Sequence, residues 1–310
     1  MSLEKIRNVL ENLHTCDSWS IQLLNIKTSA KTGVGYCSRQ IILSPQEQLK
    51  KLVADIQELY SDKGKKPLKQ YREVRAYDDT ADTSTIYRLS AQDEMIASAY
   101  KDLRKVLADP NKEDDPFAYT SAYLLWGELV VGEENVPVKL VSMRKPVSTI
   151  RHKFCLNKGK FEAMPDKVIS LNSAMDVIIV GETVYFLTSA GENLFDMERA
   201  YKAVCQRHIS TIAETKIIHG MELFSKVAGS GHNPRRFLSF DEGRLKELRE
   251  KSVRQKMASK FSIPMDASGD KFDATVDGAA EKIVKLLCNK GMTDPFTDAA
   301  VEVDGARKWK

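Results

Sequence analysis

The chain has 310 residues, 47 Lys+Arg against 43 Asp+Glu, and a formal net charge of +4. That small excess excludes an all-over polycation, and 42% hydrophobic residues with 10 Pro and 16 Gly exclude a disordered or collagen-like chain. A packed globular protein of one large or two ordinary domains is expected.

The N-terminal stretch carries Glu4 among its early charges and places Leu3, Ile6, Leu10 and Leu13 at helical spacing, which reads as a first helix and not as a secretory leader. Trp19, Ile21 and Leu23 alternate along a half-buried strand, and a turn over Lys31 to Gly35 leads to a second strand near Tyr36 to Leu43. Ser44-Pro45-Gln46-Glu47 combines an N-cap Ser, a Pro at the first helical position and a Glu three residues after the cap, so a helix carrying Leu49, Leu52, Val53, Ile56 and Leu59 begins there. Short strands are expected at Glu73 to Tyr77 and Thr85 to Leu89, then a helix capped by Ser90 and Asp93, ended by the acidic loop Asp109 to Asp115.

From Tyr119 the pattern turns to strands: Tyr123 to Val131, Val136 to Met143, Lys153 to Asn157, Lys160 to Met164 and Val168 to Asn172. Asp176 to Leu187 reads as a hairpin, with Gly181-Glu182 as a two-residue type II′ turn. Beyond Gly191, Tyr201, Val204, Cys205, His208, Ile209 and Ile212 make one helical stripe, and Ser239 to Met257 and Gly278 to Leu287 read as further helices. The expected fold class is α+β: a mixed, largely antiparallel sheet domain over 1–190, followed by a mainly helical domain over 191–310 that carries a basic helix. No apolar run approaches the roughly 20 residues that span a bilayer, so no direct membrane insertion is expected. Five widely spaced cysteines without a CxxC pair fit reduced, structural thiols in a cytoplasm.

Charge is unevenly placed. Residues 139–160 hold seven basic residues and no acidic one: Lys139, Arg144, Lys145, Arg151, Lys153, Lys158 and Lys160. Residues 235–260 hold nine basic against four acidic, with Arg235, Arg236, Arg244, Lys246, Arg249 and Arg254 leading into the expected basic helix. These 48 residues carry +12 while the other 262 carry −8. Cations gathered on a surface attract phosphates by releasing condensed counterions, independently of base sequence, which makes nucleic acid or another polyanion the natural partner, and these thirteen residues the candidate contacts if that partner is DNA. The competing reading pairs Glu242, Glu247 and Glu250 with neighbouring Arg and Lys along a solvated helix face.

Motifs for catalysis are weak. HExxH is missing around His208 and His219, Gly33-Val34-Gly35 lacks the third glycine of a dinucleotide fingerprint, and no GxxxxGK[ST] is present, so no cofactor is expected. Gly229-Ser230-Gly231 beside Arg235 and Arg236 offers backbone N–H groups to a phosphate but reads more simply as a linker. Asp176 and Glu182 have the rough placement of nuclease carboxylates, yet Thr183 and Val184 follow Glu182 where a Lys would be needed to polarise water. His14, His152, His208, His219 and His232 are too scattered to define a general base. A metal-dependent nuclease or nucleotide-processing effector, and a non-catalytic protein–protein adaptor, stand as alternatives to a DNA-binding protein.

The hairpin DVIIVGETVYFL at 176–187, ENLFDMERAY leading into a long helix, PRRFLSF before the basic helix and the strand-like end VEVDGARKWK resemble the KwaB family, the soluble components of the bacterial Kiwa anti-phage defence system. The resemblance implies a cytoplasmic, non-catalytic DNA-binding effector that self-associates as a homodimer or higher homo-oligomer. It further implies docking on the membrane-embedded sensor KwaA, peripheral to the inner membrane, and hindrance of phage DNA replication or expression by binding without cutting.

Overall fold

The hairpin expected at 176–187 forms as two fully registered strands inside an eight-stranded sheet, with Val180 opposite Thr183 and Gly181 at φ +56°, the left-handed conformation that the first position of this tight turn demands. The structure, a computed structural model, describes residues 3–29, 33–43, 46–76, 85–110, 120–144, 147–148, 154–157, 160–163, 168–288, 291–293 and 300–302. The chain divides into two units, Met1–Arg72 with Asp82–Met197, and Glu73–Ala81 with Glu198–Lys310.

The first unit begins with helix α1 (Leu3–Glu11), strands β1 (Ser20–Ser29) and β2 (Gly33–Ile41), and helix α2 (Glu47–Tyr60). Strands β3 (Gln70–Glu73) and β4 (Thr85–Ser90), helix α3 (Ala97–Ala108) and the long hairpin of β5 (Ala122–Val131) and β6 (Glu134–Ser142) follow. Four short strands come next: β7 (Val147–Ser148), β8 (Phe154–Asn157), β9 (Lys160–Ala163) and β10 (Val168–Ile169). β11 (Val177–Val180) and β12 (Thr183–Phe186) complete the sheet, whose order is β2-β1-β5-β6-β11-β12-β4-β3. Every pairing from β2 across to β4 is antiparallel.

Side-chain alternation divides the sheet into two faces. Ile21, Leu23, Tyr123, Leu125, Val138, Leu140 and Ile178 point one way into a core closed by Ile6, Val9 and Leu10 of α1 and Leu52, Val53 and Ile56 of α2. The other face is covered in part by α3: Gln22 Nε2 donates to the Leu107 carbonyl (3.1 Å) and Ser38 Oγ to that of Val106 (2.8 Å), satisfying carbonyls that the helix end leaves open.

Local differences from expectation have local causes. The expected cap residues of α2, Ser44 and Pro45, lie outside the described residues, and Gln46 precedes the helix in right-handed conformation. α3 starts at Ala97, several residues after Ser90, because Ser90 Oγ accepts from the Gln92 N–H (3.2 Å) and the Asp93 carboxylate from that of Met95 (3.0 Å). These side chains turn the chain before helix begins, a competition with the backbone that Ser and Asp often win. The strand expected at 73–77 ends at Glu73, and a 3₁₀ turn, Val74–Ala76, takes over with Val74 fully buried.

The second unit contains helices α4 (Met197–Thr215, which begins one residue before the division), α5 (Met221–Ala228), α6 (Asn233–Arg236), α7 (Glu242–Glu247), α8 (Lys251–Lys260) and α9 (Ala279–Leu287). It also contains the parallel pair β13 (Ile218–His219) and β14 (Phe272–Asp273), and the antiparallel pair β15 (Gly291–Thr293) and β16 (Ala300–Glu302). Cys205, Ile209 and Ile212 of α4 pack with Phe224, Phe237, Phe272, Ile283, Val284 and Leu287. The single helix expected over 239–257 is interrupted: α7 closes at Leu248, whose N–H bonds the Arg244 carbonyl (2.8 Å), and Glu250 is extended before α8 opens. Together these elements make an α+β protein, with a mostly antiparallel sheet first and helices in the C-terminal region.

Candidate nucleic-acid interface

The first basic segment leaves the sheet at the end of β6. Within the strand, Val138 and Leu140 face the core, so Lys139 falls on the opposite face, directly across from Trp126 on β5 and Ile179 on β11. Burial depresses the Lys139 pKa, the neighbouring Arg104 guanidinium depresses it further, and the Glu182 carboxylate acts in the opposite direction. Arg144 follows two residues after the strand and is exposed. Its root is held by Asp176, a buried carboxylate that accepts the Met143 N–H (2.7 Å) on one oxygen and the Thr188 hydroxyl (2.6 Å) on the other. β7 then pairs antiparallel with β10, and β8 with β9, where Asn157 faces Lys160 across the turn. The exposed Lys160 opens β9, whereas Lys145, Arg151, Lys153 and Lys158 lie outside the described residues.

The second segment divides its cations between surface and scaffold. Arg235 places its guanidinium 5.5 Å from the centre of the buried Tyr201 ring. Arg236 is ion-paired with Glu281 at the start of α9 and donates to Asn233 Oδ1 (2.7 Å), while Asn233 Nδ2 donates to the same Glu281 carboxylate (2.8 Å). Asn233, 5% exposed, thus ties the PRR turn to α9. The Gly229-Ser230-Gly231 loop, which reads from sequence more simply as a linker than as a phosphate cradle, ends α5, with Ser230 Oγ donating to the Val227 carbonyl (2.9 Å). Arg244 donates to the Leu286 carbonyl (3.2 Å) in the last turn of α9.

Arg254 goes furthest inward. At 8% exposure its guanidinium donates to the Asp270 (2.7 Å), Leu248 (2.7 Å) and Arg249 (2.9 Å) carbonyls, filling the break between α7 and α8. A phosphate contact by Arg254 would have to break those bonds. Lys246 and Arg249 are exposed, as is Lys256, among the exposed carboxylates of Glu242, Glu247 and Glu250.

The other chemistry-bearing groups have structural surroundings. Glu182 accepts from Gln92 Nε2 (2.6 Å) and lies 3.4 Å from Arg104. Among the described residues no group of three or more His, Cys, Asp and Glu is gathered to hold a metal ion, and no helix is long and apolar enough to cross a membrane. His208 packs against Phe240, with ring centres 4.3 Å apart and the rings tilted by 32°, and burial lowers its pKa. Cys205 and Cys288 are buried, and burial pushes the Cys205 thiol up to about 12, which suppresses thiolate chemistry.

The structure is thus an α+β protein whose first basic segment begins at the end of β6, in the central sheet, and whose second basic segment turns several of its cations into its own scaffold. A family model described as Kiwa protein KwaB-like matches residues 138–297, just over half of the chain and inclusive of both basic segments. The chain belongs to this KwaB-like family, and so is a component of the Kiwa anti-phage defence system, within which it has partner proteins. No curated protein and no solved structure matches it.

Proposed function

We propose that the protein is a non-catalytic defence effector that holds DNA by its phosphate backbone, without reading bases, and hinders phage DNA replication or expression. The observation that carries this reading is the run of seven cations without a carboxylate over 139–160, of which Arg144 and Lys160 are exposed. Lys246, Arg249 and Lys256 supply a second, weaker surface tempered by exposed glutamates. Lys145, Arg151, Lys153 and Lys158 belong to the proposed contact set by their place in the first segment.

Fluorescence anisotropy with a phage-derived duplex tests this directly. Log K should fall linearly with log salt, with a slope of about −0.9 for each phosphate neutralised, and the DNA should be recovered at full length in the presence of Mg²⁺. No measurable binding at low salt would overturn the reading, and shortened products would favour a nuclease.

Backbone binding of this kind does not distinguish phage DNA from host DNA. A restraint or an address is therefore required, and the reading assigns it to the membrane-embedded sensor KwaA, with the protein held as a homo-oligomer at the inner membrane. Deletion of that partner should abolish protection in a plaque assay; full protection without it would remove this part of the proposal.

A further inference from the structure

Trp126 is 41% exposed although it sits near the middle of β5, an interior strand of the sheet whose neighbouring residues Leu124 and Leu125 are fully buried. Its partners across the strands are Ser20 on β1 and Lys139 on β6, so the three share one face. This is the face that α3 covers over Gln22 and Ser38, and the cover stops short of the indole. Arg104 of α3 and Lys139 lie close enough for their charges to oppose one another, and Glu182 is the carboxylate that both feel. Glu182 is itself engaged by Gln92. Two cations therefore share one carboxylate beside an open aromatic ring. On the other flank Glu128, two residues beyond Trp126 on the same strand face, is exposed and repels anions.

We propose that Trp126, Lys139 and Arg104 form a stacking subsite for an unpaired base of single-stranded DNA. The base lies on the indole and its phosphate on the Lys139–Arg104 side, away from Glu128. An arriving phosphate adds a second anion beside these two cations. Base faces in a duplex are hidden in their own stack, so only a single strand offers one to the ring; stacking of this type tolerates any base because every base has a π-face. The subsite rests on the DNA-binding reading and adds to it the class of DNA preferred.

The test compares the full-length protein with Trp126→Ala, Trp126→Thr and Trp126→Phe variants, each titrated with oligo(dT) and with a duplex of the same length. The Ala and Thr variants should bind oligo(dT) at least about fivefold more weakly, the lower end of the effect of removing one stacking ring, with duplex affinity unchanged. Phe should restore most of the loss. Thr suits an exposed strand position and guards against a fold defect in the Ala variant. Unchanged oligo(dT) affinity, or equal losses on both DNAs, would overturn the subsite while leaving DNA binding standing. Failure of the unmodified protein to bind either DNA would remove the DNA-binding reading and the subsite with it.

Discussion

Reversal of Arg144, Lys145, Arg151 and Lys153 to Glu is expected to weaken duplex binding on the order of a thousandfold at ~0.1 M salt, and to flatten the slope of log K against log salt by about four units. The size follows from counterion release, in which each lost phosphate contact forfeits roughly one power of salt, and four introduced carboxylates add repulsion. This segment is singled out because no acidic residue lies between Lys139 and Lys160 to neutralise it, whereas Lys246 and Arg249 stand among exposed Glu242, Glu247 and Glu250. Reversing Lys246 and Arg249 should therefore have the smaller effect, since carboxylates already screen that surface. Arg144 is exposed, so its exchange does not disturb the core, and an unchanged melting temperature verifies this. Affinity and slope that both stay at the unmodified values would dismiss the first segment as the DNA contact.

Much of the fold is legible in local pattern. The Val177–Val180 and Thr183–Phe186 hairpin follows from two apolar runs around Gly181-Glu182, and α2 from Leu49, Leu52, Val53 and Ile56 at helical spacing, because both signals are complete within a few residues. The break between α7 and α8 is barely legible in this way, since its one local sign is a slip of the apolar stripe: Leu245 and Leu248 keep helical spacing, as do Val253 and Met257, but Val253 comes five residues after Leu248. What interrupts the helix is a tertiary arrangement, the Arg254 guanidinium on three carbonyls, one of them sixteen residues away at Asp270. The grouping of the 3₁₀ turn Val74–Ala76 with the second unit is likewise set by long-range packing, against Phe237–Ser239, and carries no composition signal.

Site residues divide along the same line. Counting charge by segment finds both basic regions, but net charge does not say which way a side chain turns. Arg236, Arg244 and Arg254 count fully toward the nine cations of 235–260, yet their guanidinium groups are spent on Glu281, Leu286 and a set of backbone carbonyls. One signal could have marked Arg254 from sequence: it lies four residues before Ala258 and beside Val253 and Met257, on the inward stripe of its helix. Glu281, 45 residues from Arg236, had no such signal. Trp126 had one too, because strand alternation places it on the opposite face from Leu125. Whether helix or solvent covers that face is decided by where α3 ends.

Arg254→Ala should destabilise the second unit by about 3 kcal/mol or more, since a charged donor to a carbonyl contributes about 1.5–3 kcal/mol and the buried carbonyls left behind are costly to strand. The Leu248 and Arg249 carbonyls terminate α7, and the Asp270 carbonyl belongs to the loop that leads into β14. Removing the guanidinium opens the α7–α8 break and loosens that loop together. Arg254→Lys keeps the charge and should recover only part of the loss, because an ammonium is a point donor and cannot serve three divergent carbonyls as the planar fork does. Urea unfolding followed by helix circular dichroism measures the shift, and the transition of the second unit is the one that moves. Duplex affinity, measured where the variant remains folded, should stay within about twofold of the unmodified protein, the scale of a surface change that touches no phosphate. The reverse pattern, unchanged stability with weakened DNA binding and a flatter salt slope, would return Arg254 to the phosphate-contact set and show that its guanidinium leaves those carbonyls when DNA arrives.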